Sequence, residues 1–170
     1  MINPKHCQEL EKSAIAPEII YLNFKSLLGD SAYESLLYGL PTTERRNDGR
    51  LRDYWIKRYQ HLDHGGWWCN GIDSLTGKES LWGCFKPDQP REKEDGKLLK
   101  YEHPPKVSTE AFFLKVTYRL GLEIAQKAGQ LKSYWFENFG GEKGLDQCQI
   151  LEEIESLDFL DSEDPQFWQC

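Results

Sequence analysis

The chain has 170 residues, which fits one domain with a modest core. Hydrophobic residues make up 39% and charged residues 29%, as in ordinary soluble proteins, and no apolar run approaches the roughly 18 residues of a membrane span. Because residues 1–6 also lack the apolar stretch of a secretory signal, we expect a cytoplasmic location. The five cysteines are odd in number and widely spaced, which argues against a disulfide framework.

The formal net charge of −7 is unevenly distributed. Residues 136–170 contain one lysine and ten acidic residues, a net charge of −9, so residues 1–135 carry +2. An acidic protein is an unusual partner for nucleic acid. Here the negative charge argues against nucleic-acid binding only for residues 136–170, because residues 1–135 carry a small positive charge.

Residues 1–40 are predicted to form short helices. Asn3-Pro4 is typical of a helix cap followed by proline at the first helical position. A second helix starts at Pro17, with apolar residues as far as Phe24, and Asp30-Ser31 is predicted to cap a third. Helical spacing leaves both a scaffold and a helix-turn-helix open, and a scaffold is the commoner arrangement.

A polar, basic stretch follows at residues 42–60. Asn47-Asp48-Gly49 indicates a turn, and Leu51, Trp55 and Tyr59 then recur with helical spacing. We therefore expect a short amphipathic helix. The basic residues on its flanks are Arg52, Lys57 and Arg58.

Strand patterns dominate the middle of the chain. Residues 66–69 and 80–85 are strand-like and flank a segment rich in turn residues, which predicts a β-hairpin. Residues 97–101 read as a further strand that Pro104-Pro105 breaks, and residues 111–116 read as a buried strand.

The predicted fold class is α+β. Short N-terminal helices would pack with a small antiparallel sheet built on the hairpin, one packing helix over 118–128 that ends at Gly129, and an acidic C-terminal helix. Residues 131–170 are predicted to be a linker and an acidic helical tail. The main domain, 1–130, divides into a helical part (1–40), a mixed part with the hairpin (41–116) and a helix (117–130).

Residues 66–116 carry a resemblance to a known family. The strings Trp82 to Arg91, Asp95-Gly96-Lys97 and Lys100 to Lys106 resemble the N-terminal region of bacterial plasmid-replication, primase-like proteins, which precedes a toprim-like domain. The match extends over residues 1–130 and is most specific over 82–116. A weaker similarity to bacterial replicative primases puts three residues in the places of motif residues: Lys100, Tyr101 and Pro104. That second similarity implies a role in holding template DNA near a toprim centre.

The chain departs from that family after Gly129. Family members continue to a Glu-Gly motif and an Asp-x-Asp pair, whose carboxylates hold Mg²⁺. Here Glu142 is followed by Lys143, and no Asp-x-Asp pair occurs. The sequence therefore predicts a non-catalytic protein without a cofactor.

Two groups of basic residues are candidate nucleic-acid contacts, because clustered arginine and lysine neutralise phosphates. The first group is Arg45, Arg46, Arg50, Arg52 and Arg58, and the second is Lys97, Lys100, Tyr101 and Lys106. Tyr54, Trp55 and Tyr59 interleave with the first group, as a stacking platform for single strands requires. The alternative is a solvated helix whose aromatic side chains face the core. Its charges would pair with Glu44, Asp48 and Asp53.

A zinc site is a weaker hypothesis. His61, His64, Cys69 and Cys84 offer ligands, but a short Cys-x₂₋₄-Cys knuckle is missing. His103 is a candidate acid or base without a nucleophile or paired carboxylate at motif spacing.

The predicted function is a non-catalytic nucleic-acid-binding module that holds single-stranded or primer–template DNA. The alternative is an interaction or regulatory subunit that docks on a replication protein supplying the toprim centre. In that case the acidic helix over 146–160 would be the contact. The acidic tail is also a candidate to cover the basic residues in cis.

Overall fold

The computed structural model describes residues 1–73, 75–132 and 149. The chain divides into two compact units, Met1–Leu114 and Lys115–Cys170. Helices together with antiparallel strands confirm the α+β class. Among the helices described, none has the length and apolar character needed to cross a bilayer. Apart from residue 149, which is helical, the predicted acidic helix over 146–160 lies outside the described residues.

Ten named elements and two 3₁₀ turns make up the described chain. The helices are α1 (Pro4–Lys12), α2 (Pro17–Asn23), α3 (Asp30–Leu36), α4 (Asp53–Arg58) and α5 (Tyr118–Lys127), with 3₁₀ turns at Thr42–Glu44 and Gln60–His64. The strands are β1 (Phe24–Leu27), β2 (Gly66–Cys69), β3 (Ile72–Asp73), β4 (Cys84–Pro87) and β5 (Phe112–Phe113).

The predicted hairpin strands β2 and β4 form a three-stranded antiparallel sheet with β1, in the order β1-β2-β4, with β2 in the centre. Cys69 in β2 lies opposite both Phe24 in β1 and Cys84 in β4. The second hairpin strand starts at Cys84 rather than Ser80, because Ser80 donates its N–H to the Gly71 carbonyl, at 2.8 Å, in the connecting segment. β3 and β5 form a separate two-stranded sheet.

Each face of the three-stranded sheet packs on a different pair of helices, because successive strand residues point to opposite faces. Trp68 and Phe85, 2% and 0% exposed, join the core with residues of α3 and α4. Trp67 and Cys69 join the core with residues of α1 and α2. The indoles of β2 are therefore core residues on both sides of the sheet.

The predicted helix starts are largely confirmed. The Asn3 side chain accepts the His6 N–H at 2.9 Å, with proline in the first turn of α1. α2 starts at Pro17 as predicted. α3 differs by one residue, because Gly29 occupies the cap position with a φ of 54°, a conformation that glycine adopts without strain.

α5 also agrees with its prediction. The Thr117 side chain accepts the Leu120 N–H at 3.2 Å, and Gly129, at a φ of 72°, follows the helix end.

The prediction of helices throughout residues 1–40 is wrong at Phe24–Leu27, which form β1. The side chain of Phe24 packs edge-on against Trp67, with ring centroids 5.4 Å apart. Pairing with β2 therefore decides the conformation of this segment, and local helical spacing does not.

The predicted strands at 97–101 and 111–116 are also wrong in extent. Residues 97–101 contribute a single bridge, between Glu92 and Leu98, beside the adjacent Phe85–Glu102 bridge. β5 covers only Phe112–Phe113, and its neighbour Leu114 is 39% exposed. An apolar run remains a strand only where a partner strand covers it, and β3 is two residues long.

Candidate nucleic-acid interface

α4 separates the aromatic residues of the basic stretch into two groups. Trp55 and Tyr59 are buried, 6% and 4% exposed, and their rings stack at 5.9 Å within the core. Tyr54 points outward and is 59% exposed. The predicted three-residue stacking platform is therefore wrong for Trp55 and Tyr59, because the helical spacing that groups them with Leu51 directs them to the core.

The turn before α4 presents its arginines from a closed backbone loop. The Arg46 N–H donates to the Arg50 carbonyl at 2.8 Å, and Gly49 adopts a φ of 82°. Arg45 pairs with Leu51 in an isolated antiparallel bridge, and its guanidinium donates to the Gly49 carbonyl at 3.1 Å. The turn predicted from the sequence is thus confirmed and held at both ends.

Some of these cations have carboxylate partners, as the alternative prediction required. Arg46 forms an ion pair with Asp53, and Arg50 lies 3.9 Å from Asp48 while its side chain remains 81% exposed. Exposed pairs of this kind contribute little to stability and compete weakly with other anions. The cations therefore remain available at the surface.

Arg52 and Lys57 are exposed, and neither pairs with a carboxylate in the part of the chain that the structure describes. Arg58 donates to the Tyr54 hydroxyl at 2.7 Å, which places a guanidinium beside the exposed ring.

Lys106 joins this surface from 62 positions away in sequence. Its ammonium nitrogen lies 3.0 Å from a Glu44 carboxylate oxygen and 5.4 Å from the centre of the Trp55 ring. We define the basic surface as residues 44–58 together with Lys106. Its seven cations and three carboxylates give a net charge of +4.

The remaining residues of the second predicted group have other neighbours. Lys97 pairs with Asp95 at 3.4 Å within a turn. The Tyr101 ring, 51% exposed, lies 6.0 Å from Trp67 on the side of the sheet that faces α1. Lys100 is exposed. The structure therefore unites Lys106 with the first group and gives Lys97 and Tyr101 separate surroundings.

The proposed zinc ligands are only partly brought together. Cys69 and Cys84 are direct partners across β2 and β4, as the hairpin predicted, but His61 binds the Glu102 carboxylate. Burial raises the pKa of Cys69 to about 12 and that of Cys84 to about 11, which disfavours the thiolate that zinc binds. In residues 1–73, 75–132 and 149, no group of three or more His, Cys, Asp or Glu side chains is arranged to hold a metal.

A buried charge centre around Glu102 was not predicted. Its side chain is 2% exposed and accepts hydrogen bonds from His61 and from two nitrogens of Arg91, at 3.1 and 2.8 Å. Burial raises the pKa of Glu102, but hydrogen bonds from His61 and Arg91 outweigh that effect and lower it. Arg91 also lies 4.9 Å from the centre of the Tyr59 ring, which ties this centre to the end of α4.

His103 occupies a packing position. Its ring stacks on Trp82 with centroids 4.8 Å apart and planes 3° from parallel, and Nδ1 lies 3.0 Å from the Gly83 carbonyl oxygen. This arrangement accounts for the residue by packing and hydrogen bonding.

The chain is similar to one region of a much longer protein. Over 128 residues, 74% of its own length, it is 56% identical to an uncharacterized protein of Picosynechococcus sp.. The match spans 13% of the length of that relative. No protein-family model matches the chain, and no solved structure matches it.

Proposed function

We propose that this protein is a non-catalytic nucleic-acid-binding module that contacts phosphates through the basic surface. The observation that carries the proposal is the contact of Lys106 with Glu44, which adds a seventh cation to residues 44–58 and raises the net charge of this surface from +3 to +4, in a chain whose overall charge is −7. A local excess of cations binds a polyanion by neutralising phosphates and releasing counterions.

The chemistry of the exposed cations supports this proposal. Arg50, Arg52 and Lys57 extend into solvent, where phosphate oxygens of a backbone are accessible to them. Arginine presents paired N–H donors that match phosphate geometry, and lysine contributes a mobile point charge.

Tyr54 supports a preference for single strands. Its ring is 59% exposed, packs edge-on against Trp55 at 5.5 Å, and has its hydroxyl fixed by Arg58. A held ring beside cations offers a stacking face to an unpaired base, whereas the bases of a duplex already stack on one another. This contact is the expected source of discrimination between single-stranded and duplex DNA.

Fluorescence anisotropy of a labelled single-stranded oligonucleotide tests the proposal. We expect salt-dependent binding that Arg52→Ala and Lys57→Ala each weaken about three- to tenfold at low salt, with a smaller slope of log affinity against log salt. Lys12→Ala is the matched control, because Lys12 is an exposed lysine at the end of α1, on the opposite side of the sheet.

Two outcomes contradict the proposal. One is absence of binding at low salt, which would favour docking on another protein as the role of the chain. The other is an equal effect of Lys12→Ala and Lys57→Ala, which would place the interaction outside the basic surface.

A further inference from the structure

The Glu44 carboxylate lies at a point where several donors of the basic surface converge. The Trp55 indole N–H donates to one carboxylate oxygen at 2.8 Å, and the Lys106 ammonium donates to the other at 3.0 Å. The two contacts come from different parts of the chain and use different oxygens. Together they form a small anion-binding arrangement around a side chain of the protein itself.

The indole donor is fixed independently of Glu44. Trp55 is 6% exposed, because its ring stacks on Tyr59 and joins the core beneath α4. An indole nitrogen is a donor only, and this one is directed to the protein surface. The core therefore holds the Trp55 indole N–H in a fixed position, where it requires a hydrogen-bond acceptor from Glu44 or from another group.

The Lys106 ammonium reaches the same point from a turn in which the backbone conformation of this residue is unusual. Its φ is 61°, in the left-handed region that residues other than glycine rarely adopt, and its ammonium also lies 5.4 Å from the Trp55 ring. A conformation of this cost persists only where the surrounding contacts enforce it, and such positions are frequent at ligand sites.

Two cations, Lys106 and Arg52, lie near the Glu44 carboxylate. Hydrogen bonds from Trp55 and Lys106 lower the pKa of Glu44 against the opposing effect of burial, and the charges of Lys106 and Arg52 add to the lowering. These donors and cations match the requirements of an anion. The Glu44 side chain is 29% exposed and ends the 3₁₀ turn at Thr42–Glu44, so solvent is available to it as an alternative position.

We propose that Glu44 occupies an anion subsite formed by the Trp55 indole N–H and the Lys106 ammonium, with the charge of Arg52 nearby, and that a phosphate group takes the place of its carboxylate. Phosphate oxygens accept the same charge-assisted hydrogen bonds. That the phosphate belongs to a nucleic acid rests on the function proposed above, whereas the existence of the subsite does not. Glu44 acts as a built-in competitor that weakens binding of an external phosphate.

The first experiment uses inorganic phosphate as the probe. Thermal unfolding of the full chain is followed with increasing phosphate, and with sodium chloride at matched ionic strength. We expect Glu44→Ala to lower the Tm, because the Trp55 N–H loses its acceptor, and phosphate to raise it again more than chloride does. The Tm of the wild type should respond less to phosphate, since Glu44 already fills the subsite.

Two further variants locate the effect. Asp48→Ala is the matched control, because it removes one carboxylate from the same surface without emptying the subsite. Its Tm should respond to phosphate no more than that of the wild type. Glu44→Ala combined with Lys106→Ala should lose the phosphate response. An equal response in Asp48→Ala and Glu44→Ala, or no specific response in Glu44→Ala, overturns the proposal.

Oligonucleotide affinity provides a second measurement, made with Glu44→Gln so that the indole keeps a neutral acceptor if Glu44→Ala does not fold. We expect about fivefold tighter binding than the wild type, the equivalent of roughly 1 kcal/mol for an exposed charge pair, and a smaller gain for Asp48→Asn. If the wild type binds the oligonucleotide, equal or weaker binding by Glu44→Gln contradicts the subsite.

The two proposals fail in different ways. A phosphate-specific rise in Tm without any oligonucleotide binding would support the anion subsite and refute the nucleic-acid function. Salt-dependent oligonucleotide binding without a phosphate effect in Glu44→Ala would support the nucleic-acid function and refute the anion subsite.

Discussion

At the residue scale, His6 shows how a polar side chain fastens the first helix to the sheet. It is 1% exposed, with Nδ1 at 2.7 Å from the Ser26 hydroxyl and Nε2 at 3.0 Å from a carboxylate oxygen of Asp88. Because the Asp88 carboxylate only accepts hydrogen bonds, Nε2 donates to it, and in the neutral ring Nδ1 accepts from the Ser26 hydroxyl, whose oxygen also accepts the Asn3 N–H at 2.8 Å. One imidazole thus links α1, β1 and the residue after β4.

Replacing His6 tests the importance of this link. We expect His6→Ala to reduce the free energy of unfolding by about 3 kcal/mol, because Asp88 and Ser26 lose a buried partner and a cavity remains. Urea denaturation monitored by tryptophan fluorescence measures the change. His64→Ala, at an exposed position, should remain within about 0.5 kcal/mol of the wild type, and similar losses in the two variants would show that the contacts of His6 are not stabilising.

The lowered pKa of Glu102 leads to a prediction about how the stability of the protein depends on pH. Its pKa is lowered in the folded protein from an ordinary value of 4.5, so its ionisation favours the folded state above that pH. The contribution is lost as the pH falls below 4.5 and through the lowered folded pKa. We expect Glu102→Gln to cost about 3 kcal/mol at neutral pH, because His61 and Arg91 lose the carboxylate between them.

The difference in unfolding free energy between wild type and Glu102→Gln should shrink as the pH falls below 4.5 and through the lowered pKa of Glu102. Denaturant titrations across the pH range measure it. A difference that grows in acid would mean that burial, rather than His61 and Arg91, dominates the ionisation of Glu102.

At the element scale, the close approach of β2 and β4 depends on Gly66. A Cβ at this position would lie 2.2 Å from the Lys86 carbonyl oxygen, a contact with backbone that cannot simply rotate away. We expect Gly66→Ala to cost about 3 kcal/mol by forcing the strands apart. Gly77→Ala provides the comparison, because Gly77 has open space around it and an alanine there would suffer only the strain of a φ of 65°. Its expected cost is about 1 kcal/mol, and a urea midpoint lower for Gly77→Ala than for Gly66→Ala would contradict the packing argument.

The elements that the sequence predicts correctly are those with local signals. Asn3 marks a helix start through its side-chain acceptor, Pro17 marks one through its fixed φ, and Gly49 marks a turn. β1 escapes prediction because a partner 45 positions away, Cys69 opposite Phe24, makes it a strand.

The candidate site also contains some features that the sequence predicts and others that depend on tertiary contacts. The arginines from Arg45 to Arg58 lie close together in the sequence, so the sequence alone identifies them as a basic cluster. The joining of Lys106 to Glu44 and the contact of Arg91 with Glu102 depend on how the chain folds back on itself. The inward direction of Trp55 follows from helical spacing, but the acceptor of its N–H does not.

At the scale of the whole molecule, charge opposes the proposed function and offers the last test of it. Residues 136–170 carry −9 and the other residues +2, so a polyanion approaching the protein is repelled by the net charge even where the basic surface attracts it. Neutralising acidic residues in the full-length chain lowers that repulsion without changing its length. Five substitutions serve this purpose: Glu152→Gln, Glu153→Gln, Glu155→Gln, Asp158→Asn and Asp161→Asn.

We expect this variant to bind a single-stranded oligonucleotide about tenfold more tightly than the wild type at low salt, as measured by anisotropy. The advantage should disappear near 1 M salt, where the screening length falls to about 3 Å and long-range repulsion no longer acts. An advantage that persists at high salt would point to relief of a direct contact instead of a long-range field. Unchanged affinity at low salt would mean that the acidic segment has no electrostatic influence on the basic surface, whose local charge alone would then set the affinity.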